Sequence, residues 1–413
     1  MEIFGLLGER LQHSYSPQIH RLLGDYTYRL YEISPADLPQ FLRRGDWRGL
    51  NITIPYKQAV LPYCDHLSPL AQTTGSVNTI LRRPDNSLWG GNTDAYGFRY
   101  LLAQSSAPPS GLRAGRRGGK ALVLGSGGAA RTVAAVLAEL GSAPVVIISR
   151  SGEDNYHNLR RHHDAALIVN ATPVGMYPDN GVAPLDLSLF DRLELALDLI
   201  YNPARTELLL QAEEMGVAHN NGLAMLVAQA KAASELFQNH RIAERRVAEI
   251  AKRLRRQMMN VALIGMPGSG KSTVGRRLAK LCHRPFYDTD EMVAAAAGRP
   301  ITEIFAAVGE AAFRELESAA LAQVSRLSGA VIACGGGVVT RSANKRLLRQ
   351  NAQVVFLQRE LEDLPTAGRP LSQQRPLAEL YRERLPLYHA WSDYTFAAAF
   401  VEETARRIKE QCL

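Results

Sequence analysis

The strongest constraint on this chain is the stretch Gly265-Met266-Pro267-Gly268-Ser269-Gly270-Lys271-Ser272, which satisfies G-x-x-x-x-G-K-[ST] between an apolar run (261–264) and a helix-forming run (273–281). Such a loop needs a strand to aim it and a helix to receive it, which commits its surroundings to a parallel α/β sheet. Its glycines let the backbone curl around phosphate oxygens, Lys271 reaches the terminal phosphates, and the Ser272 hydroxyl sits on Mg²⁺. The last third of the chain therefore binds a nucleoside triphosphate and transfers its phosphate. Gly265, Gly268, Ser269, Gly270, Lys271, Ser272 and Thr273 form the expected nucleotide site. A glycine turn beside a solvated lysine is the bland alternative.

A second unit uses the same device. The apolar run 121–124 enters Gly125-Ser126-Gly127-Gly128-Ala129-Ala130, and a helical run follows to Leu140. This fits G-x-G-x-x-[GA], a weak signal alone, and points backbone N–H groups at an anion. The next apolar run, 145–148, ends in Ser149-Arg150-Ser151. An acid there would pair with a ribose 2′-hydroxyl, whereas an arginine accommodates a 2′-phosphate, so the pattern favours NADP over NAD. Glu153 and Asp154, slightly further on, keep NAD open. Both units, with alternating strands and helices elsewhere, indicate α/β architecture with mostly parallel sheets.

A chain of 413 residues holds two or three domains, and 46% hydrophobic with 21% charged residues is a globular composition. No apolar run approaches the ~18 residues of a membrane span, and the first residues lack a signal-peptide pattern. These features predict a cytoplasmic protein with no membrane partner. Cys64, Cys282, Cys334 and Cys412 are scattered without a Cys-x-x-Cys pair, against a zinc or redox motif. The net charge of +8 is spread out apart from Lys252, Arg253, Arg255 and Arg256; anionic small molecules explain it as well as nucleic acid does, and no nucleic-acid partner is expected. Residues 105–119, rich in Ser, Pro, Gly and Arg, read as a linker. Residues 241–257 have helical apolar spacing and read as a solvated helix that closes the first domain. Met259-Asn260-Val261 then resembles a fresh start fused onto an older protein. Met225, Leu226 and Val227 read as ordinary helix packing, and His162 and His163 as surface residues.

Downstream of the phosphate loop, Phe286-Tyr287-Asp288-Thr289-Asp290 reads as a short strand ending in two carboxylates that share a face. One can hold metal-bound water and the other can take a proton from an acceptor hydroxyl. Phe313-Arg314, the run 331–334 entering Gly335-Gly336-Gly337, Arg369-Pro370-Leu371 and Arg384-Leu385-Pro386-Leu387-Tyr388 follow. Each arginine taken alone reads equally well as a surface salt bridge. In this order, however, the motifs resemble shikimate kinase over residues 259–413, a nucleoside-monophosphate-kinase-like parallel sheet. The resemblance implies that Asp288 helps hold Mg²⁺ and that Asp290 binds the shikimate hydroxyl as candidate base. It implies that Arg314, Arg384 and the backbone of Gly335, Gly336 and Gly337 bind the substrate. Arg369 would lie on a lid against ATP and the transferred phosphoryl group. The family often carries another lid arginine near the adenine, and residues 364–368 contain none.

Ahead of the glycine turn at 125 stand four polar clusters: His13-Ser14-Tyr15-Ser16-Pro17, Asn51-Ile52-Thr53-Ile54-Pro55-Tyr56-Lys57, Ser76-Val77-Asn78-Thr79 and Asn92-Thr93-Asp94. Hydroxyls and amides orient a polyhydroxylated acid, and Lys57 with Asp94 can form an acid/base pair. With the runs 170–176, 198–203 and 221–229, they resemble shikimate dehydrogenase over residues 1–240. That resemblance implies a substrate domain split between 1–103 and 222–258 around a Rossmann NADP domain at 104–221. Lys57 and Asp94 would be catalytic. Ser14, Ser16, Thr53, Asn78, Asp94, Tyr201 and Gln229 would bind 3-dehydroshikimate or shikimate. Gly125, Gly127, Gly128, Ala129, Ser149, Arg150, Thr172, Met176 and Gly222 would lie along the cofactor. Arg21, Ser149 and Ser151 depart from the usual family residues.

The sequence thus predicts a bifunctional enzyme that reduces 3-dehydroshikimate with NADPH and phosphorylates shikimate from MgATP. A quinate-preferring, NAD-linked first half and a catalytically silent sensor are the alternatives. Retention of Lys57, Asp94, Lys271 and Asp290 speaks against the sensor. An oligomer is left open.

Overall fold

The computed structural model describes residues 2–11, 14–44, 46–105, 119–141, 144–364 and 376–413. The linker reading at 106–118, His13, most of the lid segment and Arg369 lie outside the described residues. The chain divides into two compact units, Met1–Tyr201 with Thr206–Arg253, and Asn202–Arg205 with Leu254–Leu413.

The first unit contains two sheets. In one, β1 (Ile3–Gly8) lies parallel to β2 (Thr27–Glu32) and β3 (Gly49–Ile52). After β4 (His66–Leu67) come β5 (Thr79–Arg82) and β6 (Leu88–Gly91), giving the order β2-β1-β3-β5-β6-β4 with β5 antiparallel to β3 and β6. The other sheet is wholly parallel: β7 (Ala121–Leu124), β8 (Val145–Ile148), β9 (Leu167–Asn170), β10 (Leu195–Asp198) and β11 (Ala218–Asn221), in the order β11-β10-β9-β7-β8.

The unbroken apolar reading of β7 has a direct cause. Ala121 and Val123 point to a core with Phe98, Val133 and Leu137, while Leu122 and Leu124 point to one with Leu159, Phe190 and Leu208. A strand covered on both faces has no position to spare for a polar residue. Because β7 sits between β8 and β9, the turn after it opens onto a crevice at the carboxyl edge, where ligands bind in such sheets.

The chain then returns to the first sheet through the helix Leu223–Gln238. Gly97, in the helix Asp94–Gln104, permits this: a Cβ there would lie 2.7 Å from the Met225 carbonyl. Phe237 stacks on Phe4 of β1, and the Tyr26 hydroxyl donates to Ser234 at 2.8 Å. These contacts seat the helix Leu223–Gln238 against β1 and its neighbours.

The second unit holds β12 (Asn260–Ile264), β13 (Phe286–Asp288), β14 (Val331–Ala333), β15 (Ala352–Gln358) and β16 (Tyr394–Ala397), all parallel, in the order β13-β14-β12-β15-β16. Ala262 and Ile264 face a core with Leu321, Phe356 and Tyr388; Val261 and Leu263 face one with Val274, Leu278 and Ile408. Burying each such Leu or Val side chain contributes about 1.5–3 kcal/mol, so a charge at position 263 would break the unit.

Two local expectations change. The helix expected over 241–257 starts at Arg245 and runs to Met258. The strand expected to reach Asp290 stops at Asp288, whose carboxylate caps the next helix by accepting from Asp290 N and Glu291 N. The helix Ile301–Ser325 is interrupted at Gly309, which adopts φ +75°. Among the described residues no single helix is long and apolar enough to cross a membrane.

Candidate active sites

In the first unit two cavities adjoin. One, of about 940 Å³, is lined by Ser14, Ser16, Thr53, Lys57, Asn78, Asp94, Tyr201 and Gln229, so every substrate residue expected from sequence faces one space. Lys57 Nζ donates to Asp94 Oδ2 at 2.6 Å, with both side chains largely withdrawn from solvent. Asp94 is the first residue of its helix, where the dipole favours a carboxylate. Asn78 is fixed by a polar cluster: its Oδ1 accepts from Thr93 N at 2.7 Å and its Nδ2 donates to Thr93 Oγ1 at 3.0 Å.

Asn51 also lines this cavity, and sequence reasoning did not single it out as a site residue. Its Oδ1 accepts from the Tyr28 hydroxyl at 2.8 Å. Tyr28 in turn stacks on His20, with ring centroids 3.9 Å apart. Burial pushes the His20 imidazole down to about 3, opposed by its hydrogen bond to Asn51, so His20 is neutral.

The adjoining cavity, about 860 Å³, is lined by Gly125, Gly127, Gly128, Ala129, Ser149, Arg150 and Thr172, and shares Thr53 and Lys57 with the first. Met176 and Gly222 lie on the substrate side of the junction, and Ala129 lines both cavities. Gly125 has φ +106°, and a Cβ on Gly128 would lie 2.5 Å from Ser76 Oγ, so the helix N-terminus approaches the substrate half closely. Among the described residues no carboxylate lines this cavity. Asp154 is instead bonded to His162 Nε2 at 2.8 Å. That corrects one surface reading: His162 is buried, whereas His163 is exposed. Behind the cavity the Asn170 side chain ties Thr172 to Asp198, and burial raises the Asp198 carboxyl to about 6.

In the second unit a cavity of about 630 Å³ is lined by Gly268, Gly270, Lys271, Ser272, Thr273, Asp288, Asp290, Arg314, Gly336, Gly337 and Arg384. Gly265 and Ser269 stand behind it. Gly265 takes φ +149° against the Leu357 carbonyl, and Ser269 is fully buried beneath it. Lys271 Nζ donates to the carbonyls of Gly265 and Met266 at 3.0 and 2.9 Å, which holds the loop's curl. Ser272 Oγ donates to Asp288 Oδ2 at 2.5 Å, placing one hydroxyl and one carboxylate together.

Asp290 reaches the cavity from the first turn of the helix Thr289–Ala297, not from a strand. Burial, reinforced by the nearby Glu317 carboxylate, raises its carboxyl to about 6. Arg314 Nη1 donates to Glu317 Oε2 at 2.8 Å, and Arg384 Nη1 to the Gly336 carbonyl at 3.3 Å. A Cβ on Gly337 would lie 2.0 Å from Arg314 Nη1, so the glycine is what admits the guanidinium. Glu317 and Arg359 also line this cavity and were not anticipated. Glu317 follows Arg314 by three residues, a helical neighbour that spacing could have exposed. Arg359 carries no such signal.

The two folds define a class: a dinucleotide-dependent oxidoreductase followed by a P-loop phosphotransferase. Comparison with known proteins makes this particular. The shikimate kinase family model matches residues 267–413, and the shikimate dehydrogenase substrate binding domain model matches residues 6–80. A shikimate dehydrogenase (NADP(+)) of Clostridium perfringens is 33% identical over 258 residues, 57% of this chain and 92% of the relative. Shikimate dehydrogenase 1 from Peptoclostridium difficile superposes with a TM-score of 0.55 at 35% identity, covering 62% of this chain and 98% of that one. The Thermus thermophilus shikimate 5-dehydrogenase, solved with NADP(H) and shikimate, gives 0.55 at 34% identity over 61% and 99%. The chain belongs to the shikimate dehydrogenase family and carries a shikimate kinase domain after it.

Proposed function

We propose that this chain catalyses two reactions of the shikimate pathway, reducing 3-dehydroshikimate to shikimate and phosphorylating shikimate. The observation that carries the reading is the Lys57–Asp94 pair, 2.6 Å apart at the junction of a polar cavity and a glycine-lined one. We assign the substrate half of the dehydrogenase to residues 1–103 and 222–258, its Rossmann half to 104–221, and the kinase to 259–413.

The chain's residues suit the groups these reactions need. Space around Gly127 and the positive φ of Gly125 make a cradle for a pyrophosphate. Arg150, on a cavity wall that no carboxylate lines among the described residues, suits a 2′-phosphate, hence NADP. Ser272 with Asp288 offers the sparse oxygen set that Mg²⁺ takes when phosphates and water complete its shell. When bound, NADPH supplies a hydride to the first reaction and MgATP a phosphoryl group to the second.

Lys57 donates a proton from Nζ to the substrate's carbonyl oxygen as that oxygen gains charge, and Asp94 holds the ammonium in place. Ser14, Ser16, Thr53, Asn78, Tyr201 and Gln229 orient the ring hydroxyls and carboxylate. In the kinase, Asp290 takes the proton from the attacking hydroxyl. Arg314 and Arg384 bind the substrate carboxylate with forked donors; each has a buried Nε without a hydrogen-bond partner among the described residues. Lys271 and the loop amides hold the phosphates, and Arg369 is assigned to charge on the transferred group. The enzyme acts on small molecules rather than nucleic acid or membrane, in the cytoplasm.

A coupled assay on the purified chain with 3-dehydroshikimate, NADPH and ATP tests the proposal. It should yield equimolar NADP⁺ and ADP. Absence of NADP⁺ sinks the dehydrogenase half, and NADP⁺ formed without ADP sinks the kinase half.

A further inference from the structure

Among the described residues, the kinase cavity holds one cation that the phosphoryl-transfer reading leaves unused. Arg359 follows the last residue of β15, the strand beside β12 in the sheet. Its position is set by backbone packing. A Cβ on Gly265 would lie 2.6 Å from the Leu357 carbonyl, so the root of the phosphate loop rests on the end of β15. Two residues beyond that contact, Arg359 lines the cavity with Gly268, Gly270 and Lys271.

Its guanidinium is half-buried, yet its described partner is a single carbonyl: Nη1 donates to Gly268 O at 3.5 Å, the outer limit of a hydrogen bond. No described carboxylate stands within ion-pair reach of it. Glu360, next in sequence, is exposed and acts on Tyr381 instead. By contrast, Arg314 in the same cavity is matched by Glu317. A partly desolvated fork of donors, left uncompensated beside a loop built for anions, is poised for an anionic ligand.

We infer that Arg359 binds the polyphosphate of the nucleoside triphosphate from the β15 side of the loop, opposite Lys271, as a nucleotide-binding residue of the kinase. The inference rests on the kinase reading. In the free protein the weak bond to Gly268 parks the guanidinium at the loop, and the phosphates replace that carbonyl as its acceptor.

The test combines titration of MgADP into the full chain with steady-state kinetics in which ATP is varied at saturating shikimate. Arg359→Gln should raise the MgADP Kd and the KM for ATP on the order of 10- to 100-fold. The kcat at saturating ATP and the KM for shikimate should stay near wild type, the signature of lost uniform binding. Arg359→Lys should recover part of the affinity, because lysine restores the charge without the fork. An unchanged KM for ATP in the Gln variant overturns the assignment. So does a changed ATP-over-GTP preference with unaltered binding of inorganic tripolyphosphate, which would place the side chain on the base. A fall in kcat at constant KM overturns it too. If the wild-type chain does not phosphorylate shikimate, the kinase reading fails rather than this assignment.

Discussion

Arg314 and Glu317 form a buried ion pair at 2.8 Å in which the second carboxylate oxygen of Glu317 has no hydrogen-bond partner among the described residues. The pair fixes the guanidinium over Gly337. Among the described residues, Glu317→Ala leaves Arg314 with only the half-exposed Glu310 as ion-pair partner, at 3.3 Å. Breaking such a buried pair costs about 3–5 kcal/mol, which thermal unfolding of the kinase unit should register. The KM for shikimate should rise roughly tenfold or more as the arginine loses its orientation. A variant with wild-type KM would show that Glu317 does not position Arg314.

The proposed role of Asp290 as base gives the kinase a pH dependence with a definite sign. A base must be ionised to accept a proton, and burial first, then Glu317, raise this carboxyl to about 6. Phosphorylation measured as kcat/KM for shikimate should therefore fall about tenfold per pH unit below roughly 6 and level off above it. In Glu317→Gln the limb should move to lower pH, because a negative neighbour is gone. A rate that stays flat down to pH 5 would contradict the assignment of Asp290 as base.

The two activities should separate by single substitutions. Lys57→Ala removes the proton donor held by Asp94 and should lower dehydrogenation by about 10²–10⁴-fold while phosphorylation continues. Lys271→Ala should lower phosphorylation by about 10²-fold or more and leave NADPH oxidation intact. Assaying both reactions on each variant checks the assignment; loss of both in either variant would show that the units do not act independently.

The proposed preference for NADP rests on Arg150, in a cavity that no carboxylate lines among the described residues. Arg150→Ala should raise the KM for NADPH roughly 10-fold or more, by loss of a charge-assisted contact, with little change for NADH. Equal effects on the two cofactors would place Arg150 away from the 2′-phosphate.

The glycine turns and the flanking apolar strands were legible because their chemistry is local. β7 and β12 are buried on both faces, and a buried parallel strand leaves a continuous apolar run. Asp290 was legible as a carboxylate in the site but not as a helical one. Asp288 followed three residues later by Glu291 is a helix-start spacing that the strand reading passed over, and Asp288 turns its side chain back to cap that helix. His162 was misread because its burial depends on Asp154, eight residues away across a turn. Arg359 became visible only in three dimensions, since the loop residue it meets, Gly268, is distant in sequence; Asn51 stood in a polar cluster, but its bond to Tyr28 of another strand did not show.

The return of the helix Leu223–Gln238 onto the first sheet has a consequence for synthesis. Phe4 needs Phe237, and Tyr26 needs Ser234, to close the core beneath β1 and β2. A chain emerging from the ribosome has made more than half its length before that seam can shut. Its earliest strands wait with one side open, whereas the sheet of the second unit draws all its strands from a single later stretch. Stalling within residues 223–238 should therefore expose the amino-terminal segment to proteolysis, however complete the glycine-turn sheet already is.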